Sequence, residues 1–175
     1  MKTRLPIFTS CLSLFLLSAW LGGAVFFSAV VAPAAFHTLR SFQLPNPNEI
    51  AGSIVTRALS VINVSGFAIG LLLWLLTVLR ERTKMNGSRL LDTFPLTVLV
   101  LATAVGQWVI AAKMRGLRVA MVVIDQVPAD DPRHIAFNSL HRYSVLLLTL
   151  AMCSAVAAVI LTGLRPMLGI RKTSP

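Results

Sequence analysis

The chain is divided by where charge is missing. No Asp, Glu, Lys or Arg occurs between Arg4 and Arg40, between Arg57 and Arg80, between Asp92 and Lys113, or between Arg142 and Arg165. The last three gaps, Ala58–Leu79, Thr93–Ala112 and Tyr143–Leu164, are 22, 20 and 22 residues long. About 20 apolar residues, rising roughly 1.5 Å each, carry a helix across a hydrocarbon core about 30 Å thick. Each gap matches that length. Lipid offers no water to a free N–H or C=O, so a crossing chain must bond its own main chain as a helix.

The first run needs a test against a signal peptide, because Lys2 and Arg4 precede it. A signal peptide carries an apolar region of about 7–15 residues before small residues at the cut. Leu5 to Val31 is 27 residues without a charge, and Ser18-Ala19-Trp20 makes a poor cleavage site. The reading is a retained first helix.

Local signals place the helix ends. Asn46-Pro47-Asn48-Glu49 reads as an N-cap, a proline at the first helical position and a capping glutamate. Asp131-Pro132 starts the fourth helix about ten residues before Tyr143. Met114, Leu117, Met121 and Ile124 recur at helical spacing and extend the third helix past Lys113. Pro33 should kink the first helix on its way to Leu39. These extensions all fall on one side. The predicted fold is an all-α integral membrane protein, a single domain over residues 1–175. Its four transmembrane helices, at about 5–39, 47–82, 93–123 and 132–165, form an antiparallel bundle that protrudes on one face.

Composition agrees with this. The chain is 56% hydrophobic and 13% charged, with mean hydropathy +0.79, whereas soluble domains carry about 25% charged residues. The net charge of +10 sits beside the ends of apolar runs, where it suits topology and anionic headgroups. No soluble basic domain with stacking aromatics is present, so nucleic-acid binding is set aside. The side with both termini holds nine Lys and Arg (Lys2, Arg4, Arg80, Arg82, Lys84, Arg89, Arg165, Arg171, Lys172). The other holds seven (Arg40, Arg57, Lys113, Arg115, Arg118, Arg133, Arg142). That bias places both termini in the cytoplasm and the protein in a plasma membrane of the bacterial inner-membrane type. Cys11 and Cys153 lie in separate apolar runs and read as small packing residues, with no metal spacing between them.

Small residues at helical spacing mark close helix approach in lipid. Gly66 and Gly70 supply such a face in the second helix, Ser18 with Gly22 and Ala19 with Gly23 in the first, and Ala102 with Gly106 in the third. The bundle can use them internally; a homo-oligomer or a membrane partner is the other use.

Polar residues at membrane depth are the candidate site. Asn63 and Gln107 each lie five residues inside the extended face, about 7–8 Å deep. Phe137, Leu140, His141 and Ser144 share an arc of about 100°, which directs His141 into the bundle. One reading is that Asn63, Gln107, His141 and Ser144 bond across helices. The sharper one is a vestibule ringed by Arg57, Lys113 and Arg115 that accepts a small polar or anionic molecule. His37 with His141 as haem or metal ligands is the remaining alternative, since bundle cores do hold such groups. No resident metal or cofactor is expected on the leading reading. Glu49, Asp125, Asp130 and Asp131 read as caps or loop charges, and no apolar run contains a carboxylate. A proton relay is therefore unsupported, and nothing points to a catalytic residue.

The residues also carry a resemblance. Trp20-Leu21-Gly22-Gly23, Phe26, Val30-Val31-Ala32-Pro33 and Phe36 resemble the first helix of the transmembrane protein 205-like family, whose bacterial members carry domain of unknown function 4149. Ala51-Gly52, Lys113-Met114, Leu117-Arg118 and Phe137-x-x-Leu140-His141-x-x-Ser144 resemble its later motifs. The match runs over about residues 15 to 165. Ala112 departs from it, standing where the family often has proline. The resemblance implies a four-span membrane protein and brings no biochemical activity. The anthrone-oxygenase-like proteins have a similar layout, but Ser144 stands where arginine is expected.

Overall fold

Helix accounts for most of the described residues, 4–80 and 87–164 of a computed structural model, with no strand among them. In order these are α1 (Arg4–Phe26), a π-helical turn at Phe27–Val31, α2 (Ala32–Ser41) and α3 (Pro47–Arg80). Then come α4 (Gly87–Ala104), a π-helical turn at Val105–Ile110, α5 (Ala111–Met121), a 3-10 turn at Ile124–Gln126 and α6 (Pro132–Leu164). They form four spans long and apolar enough to cross a membrane: Thr9–Ser41, Pro47–Leu79, Leu91–Met121 and Pro132–Leu164. Of the residues counted for orientation, Lys2, Arg82, Lys84, Arg165, Arg171 and Lys172 lie outside the described residues.

The spans are 31 to 33 residues long, roughly 50 Å of helix against a core of about 30 Å. The excess of the first span's end, the second's start, the third's end and the fourth's start lies on one face. Pro33 sits in the first turn of α2, directly after a π-helical turn. Proline lacks an N–H and clashes with the carbonyl four residues back; the wider turn before it gives that carbonyl room.

The bundle closes as a ring, α3 against α4, α4 against α6, α6 against α1 and α1 against α3. Its centre holds Leu17, Trp20 and Ala24 of α1, Leu73 of α3, Leu96, Leu99 and Ala102 of α4, and Ala151, Ala155 and Ala158 of α6. The alanines of α6 let backbones approach, which is where helix association in lipid draws its packing energy. Large apolar side chains such as Phe15, Val61, Leu101 and Leu146 point outward. A water-soluble surface does not expose so many. Lipid is their solvent.

The structure corrects the packing face of the first span. Gly22 and Gly23 are exposed, and a methyl group added at either meets nothing within 4 Å. The buried line instead runs through Leu17, Trp20, Ala24 and Phe27. Trp20 explains the choice, because its indole N–H needs an acceptor when buried. It donates to the Ile62 carbonyl at 2.9 Å and lays its ring on Gly66, where an added Cβ would stand 2.7 Å from the indole. Gly70 likewise admits Val100 and Leu99 of α4. Helix pattern alone gives a stripe of small residues no sign for inside or outside.

Two boundaries also differ from expectation. The helix that carries the third span begins at Gly87, so Asp92, which marked the edge of the apolar run, lies a full turn inside helix. At its other end helix stops at Met121 rather than 123, where Val122 takes a φ of 63° and a ψ of −60°. That left-handed geometry is costly for a β-branched residue.

Gly66→Ala is expected to cost about 1–3 kcal/mol, because a rigid ring rather than a flexible side-chain tip opposes the new methyl. Gly22→Ala should leave stability unchanged or raise it. Thermal unfolding of the two variants in one detergent checks the contrast.

Candidate functional site

Two polar assemblies arise, one inside the bundle and one above it. Inside, Asn63, Gly66, Gly70 and Leu73 form the buried line of α3, while Ala102, Thr103, Gly106 and Gln107 form that of the third span. Gly106 and Gln107 fall in the π-helical turn at Val105–Ile110. Gly106 packs beside Asn63, whose amide lies 3.4 Å from where a Cβ would stand, an ordinary contact distance. Gln107 Nε2 donates to Ser60 Oγ at 2.8 Å, bonding the third span to the second. Its Oε1 is buried with no partner.

Asn63 is 4% exposed, Gln107 9% and Ser144 7%, so the structure buries three of the five residues proposed as ligand-binding. His141 and Lys113 are exposed. His141 is a correction. The buried line of α6 runs through Ser144, Leu148, Ala151, Ser154, Ala155 and Ala158. Before Ser144 it continues through the half-buried Leu140 and Phe137, four and seven residues back. An arc of about 100° contains both edges of a face, and His141 falls on the outer one. His37 is also exposed.

The cross-helix bonds expected of the polar set are mostly absent. Among the described residues Gln107–Ser60 is the one such bond, and the side chains of Asn63 and Ser144 make none. An unsatisfied buried polar group costs about 1–3 kcal/mol. Among the described residues Gln107 Oε1 is the one such atom.

Above the bundle, acidic residues link the helix ends. Glu49 Oε1 lies 3.6 Å from Arg118 Nε, and Glu49 Oε2 accepts the Ile124 N–H at 3.3 Å. Asp125 answers from the 3-10 turn: one oxygen accepts the Glu49 N–H at 2.9 Å, the other the Asn48 amide. Arg40 Nε then donates to Asn48 Oδ1 at 2.8 Å. The start of α3 is thus capped by a carboxylate 76 positions away. This replaces the local box read from Asn46 and Glu49, for Asn46 has a φ of 60° and Glu49 is spent on α5 and the turn after it. A carboxylate at a helix N-terminus also meets the positive end of the helix dipole.

Arg118 is held on three sides. It pairs with Glu49, its guanidinium lies 5.6 Å over the Phe137 ring, and its Nη2 occupies the space a Cβ on Gly52 would need. Ala51-Gly52, Leu117-Arg118 and the Phe137 segment, separate motifs in the sequence, therefore meet at one place. Asp131 opens α6 as expected, its carboxylate accepting the Arg133 N–H at 2.7 Å and pairing with the Arg133 guanidinium. The side-chain bond to Arg133 lowers the Asp131 pKa to about 2. Its folded-state pKa is depressed, so the cap persists above the ordinary carboxylate range and is lost as pH falls through about 2.

Two cavities lie elsewhere, and neither is lined by Gln107. One of about 420 Å³ sits between α4 and α6, with an apolar lining from Leu91, Phe94, Pro95, Cys153 and Leu161 among others. The other, about 40 Å³, lies among all four spans near the terminal face and has Asp92 in its wall. Asp92 is the second residue of the third candidate span, Leu91–Met121.

Four apolar helices, an interior bound by small residues and one indole, and a polar clamp outside the core define a four-span integral membrane bundle. Residues 15–123 match the family model described as a domain of unknown function, DUF4149, and the chain belongs to that family. No curated protein and no solved structure shows a significant match.

Asp125→Ala removes the cap from α3 and frees Glu49 and Asn48. It should lower stability by about 1–2 kcal/mol, read as an earlier unfolding transition in detergent. Asp130→Ala, at an exposed neighbouring carboxylate, should not.

Proposed function

We propose that this is a non-enzymatic membrane protein whose bundle accepts a small polar molecule at the level of Asn63, Gln107 and Ser144. The single observation behind the reading is the buried, unpartnered Oε1 of Gln107. A buried acceptor at that depth is suited to a ligand that brings an N–H or O–H. Gln107 sits in a π-helical turn, a feature that recurs at functional sites. The exposed Arg57, Lys113 and Arg115 flank the extended face above it and favour anionic headgroups or an anionic part of the ligand. A structural role, in which water satisfies Gln107 and the bundle serves only a protein partner, is the competing outcome. The bis-histidine alternative draws no support from this geometry, because His37 and His141 are both exposed. A Soret band lost in both His37→Ala and His141→Ala would nevertheless revive it.

Thermal stabilisation across a panel of polar small molecules and lipids decides between ligand and structure. A ligand should raise the melting temperature of the wild type and not that of Gln107→Leu. If no compound shifts the wild type, and Gln107→Leu merely lowers the melting temperature, the structural role stands.

The proposed orientation puts both termini in the cytoplasm of a cell of bacterial type, with the capped helix ends outside. Reporter fusions after Ser174 and within the Asn86–Ser88 segment should both read cytoplasm. A periplasmic signal from either reverses the orientation.

A further inference from the structure

Gln107 is surrounded by groups that define what could satisfy it. Its Oε1 is enclosed and without a partner, while its Nε2 is spent on Ser60 Oγ at 2.8 Å. Asn63, one turn along α3 from Ser60, packs beside Gly106, the residue before Gln107. Asn63 and Ser144 are each more than nine-tenths buried, and their side chains make no hydrogen bond among the described residues. Unlike Gln107 Oε1, their polar atoms are not fully enclosed.

The hydroxyls at this level behave differently from others in the same three spans. Thr56, Thr103 and Ser154 donate to the carbonyls of Gly52, Leu99 and Leu150, each four residues back, at 2.6 to 2.8 Å. A hydroxyl bonded in that way spends its proton on its own helix. Ser60 and Ser144 donate to no carbonyl among the described residues, so both protons stay available. The Gln107 acceptor therefore shares its level with donors on Ser60, Asn63 and Ser144, and with a second acceptor on Asn63.

None of these groups is charged, and neither is any residue of the runs that hold them, Ala58–Leu79, Thr93–Ala112 and Tyr143–Leu164. An ionic ligand would lie in this interior without a counter-ion. A carboxylate also has no proton for Gln107 Oε1. A ketone accepts only, and leaves that oxygen's bond unmade. An alcohol carries donor and acceptor on one atom, whereas Gln107 and Asn63 stand on different helices. A carboxamide carries them on two, with an N–H for Oε1 and a C=O for the Ser60 or Asn63 donor. We infer, on the reading that Gln107 faces a ligand, that the site selects small uncharged amides over carboxylates and ketones of the same shape.

Purified full-length protein in detergent is melted with acetamide, acetate or acetone, three probes of one shape that differ in one group. Acetamide should raise the melting temperature in a saturable way, by roughly 4 °C at ten times its midpoint. Acetate at equal ionic strength should not, and neither should acetone. Gln107→Leu should abolish the acetamide response, and Ser60→Ala should weaken its midpoint about tenfold. Saturation transfer from the wild type to the acetamide methyl group, competed by formamide and not by acetate, covers the case in which Gln107→Leu does not fold. A wild type that binds no acetamide, an equal response to all three probes, or an unchanged response in Gln107→Leu overturns the inference. If acetate or acetone instead acts through Gln107, the amide class falls and the ligand reading survives. If neither these probes nor the wider panel acts, both fall.

Discussion

A main chain inside hydrocarbon has no solvent to bond with, and every other choice in this protein is made under that condition. It forces helix through all four spans and removes oil-out-of-water burial as a reason for helices to meet. What remains is close packing and the few hydrogen bonds that side chains can form. The bundle uses both at the same positions. Gly66 lets the Trp20 ring lie on α3, and the ring's N–H then reaches the Ile62 carbonyl. Trp74 repeats the device near the other end, donating to Thr97 Oγ1 at 3.0 Å. The aromatic residues of the interior act as fasteners between helices.

The face beyond the bilayer follows different rules because water and charge are available there. Helix starts and turns are tied by carboxylates, and the ties cross between elements distant in sequence. Glu49 and Asp125 cap one another's segments, and Arg118 rests on Phe137 beside Gly52. The consequence is a division of labour. The apolar spans determine that the chain crosses four times, and the outer clamp fixes how their projecting ends sit on one another.

Much of the architecture is legible in the sequence because charge is so costly in lipid that its absence marks each span. The depth of Asn63 and Gln107 followed from counting residues inward, and both are buried. Facing was harder. The spacing of Ser18, Ala19, Gly22 and Gly23 is what a packing face requires, yet it lies on the outside, because the choice depended on a tryptophan whose acceptor is on another helix. His141 and Ser144 are close on one helix, and only the line of α6 as a whole separates the exposed one from the buried one. The capping of α3 by Asp125 could not be read locally at all, since its two halves are far apart along the chain.

The π-helical turn at Val105–Ile110 has a mechanical meaning. Such a turn holds one residue more than an α-helix spends on the same rise, and one residue is worth about 100° of rotation. It therefore acts as a phase adjuster between the lower third span, which carries Asp92, and the upper part, which carries Arg118. Were the extra residue squeezed out along the helix, the two halves would turn against each other like sections of a jointed shaft. Arg118 would swing off Glu49 and Phe137 while the lower end stayed seated.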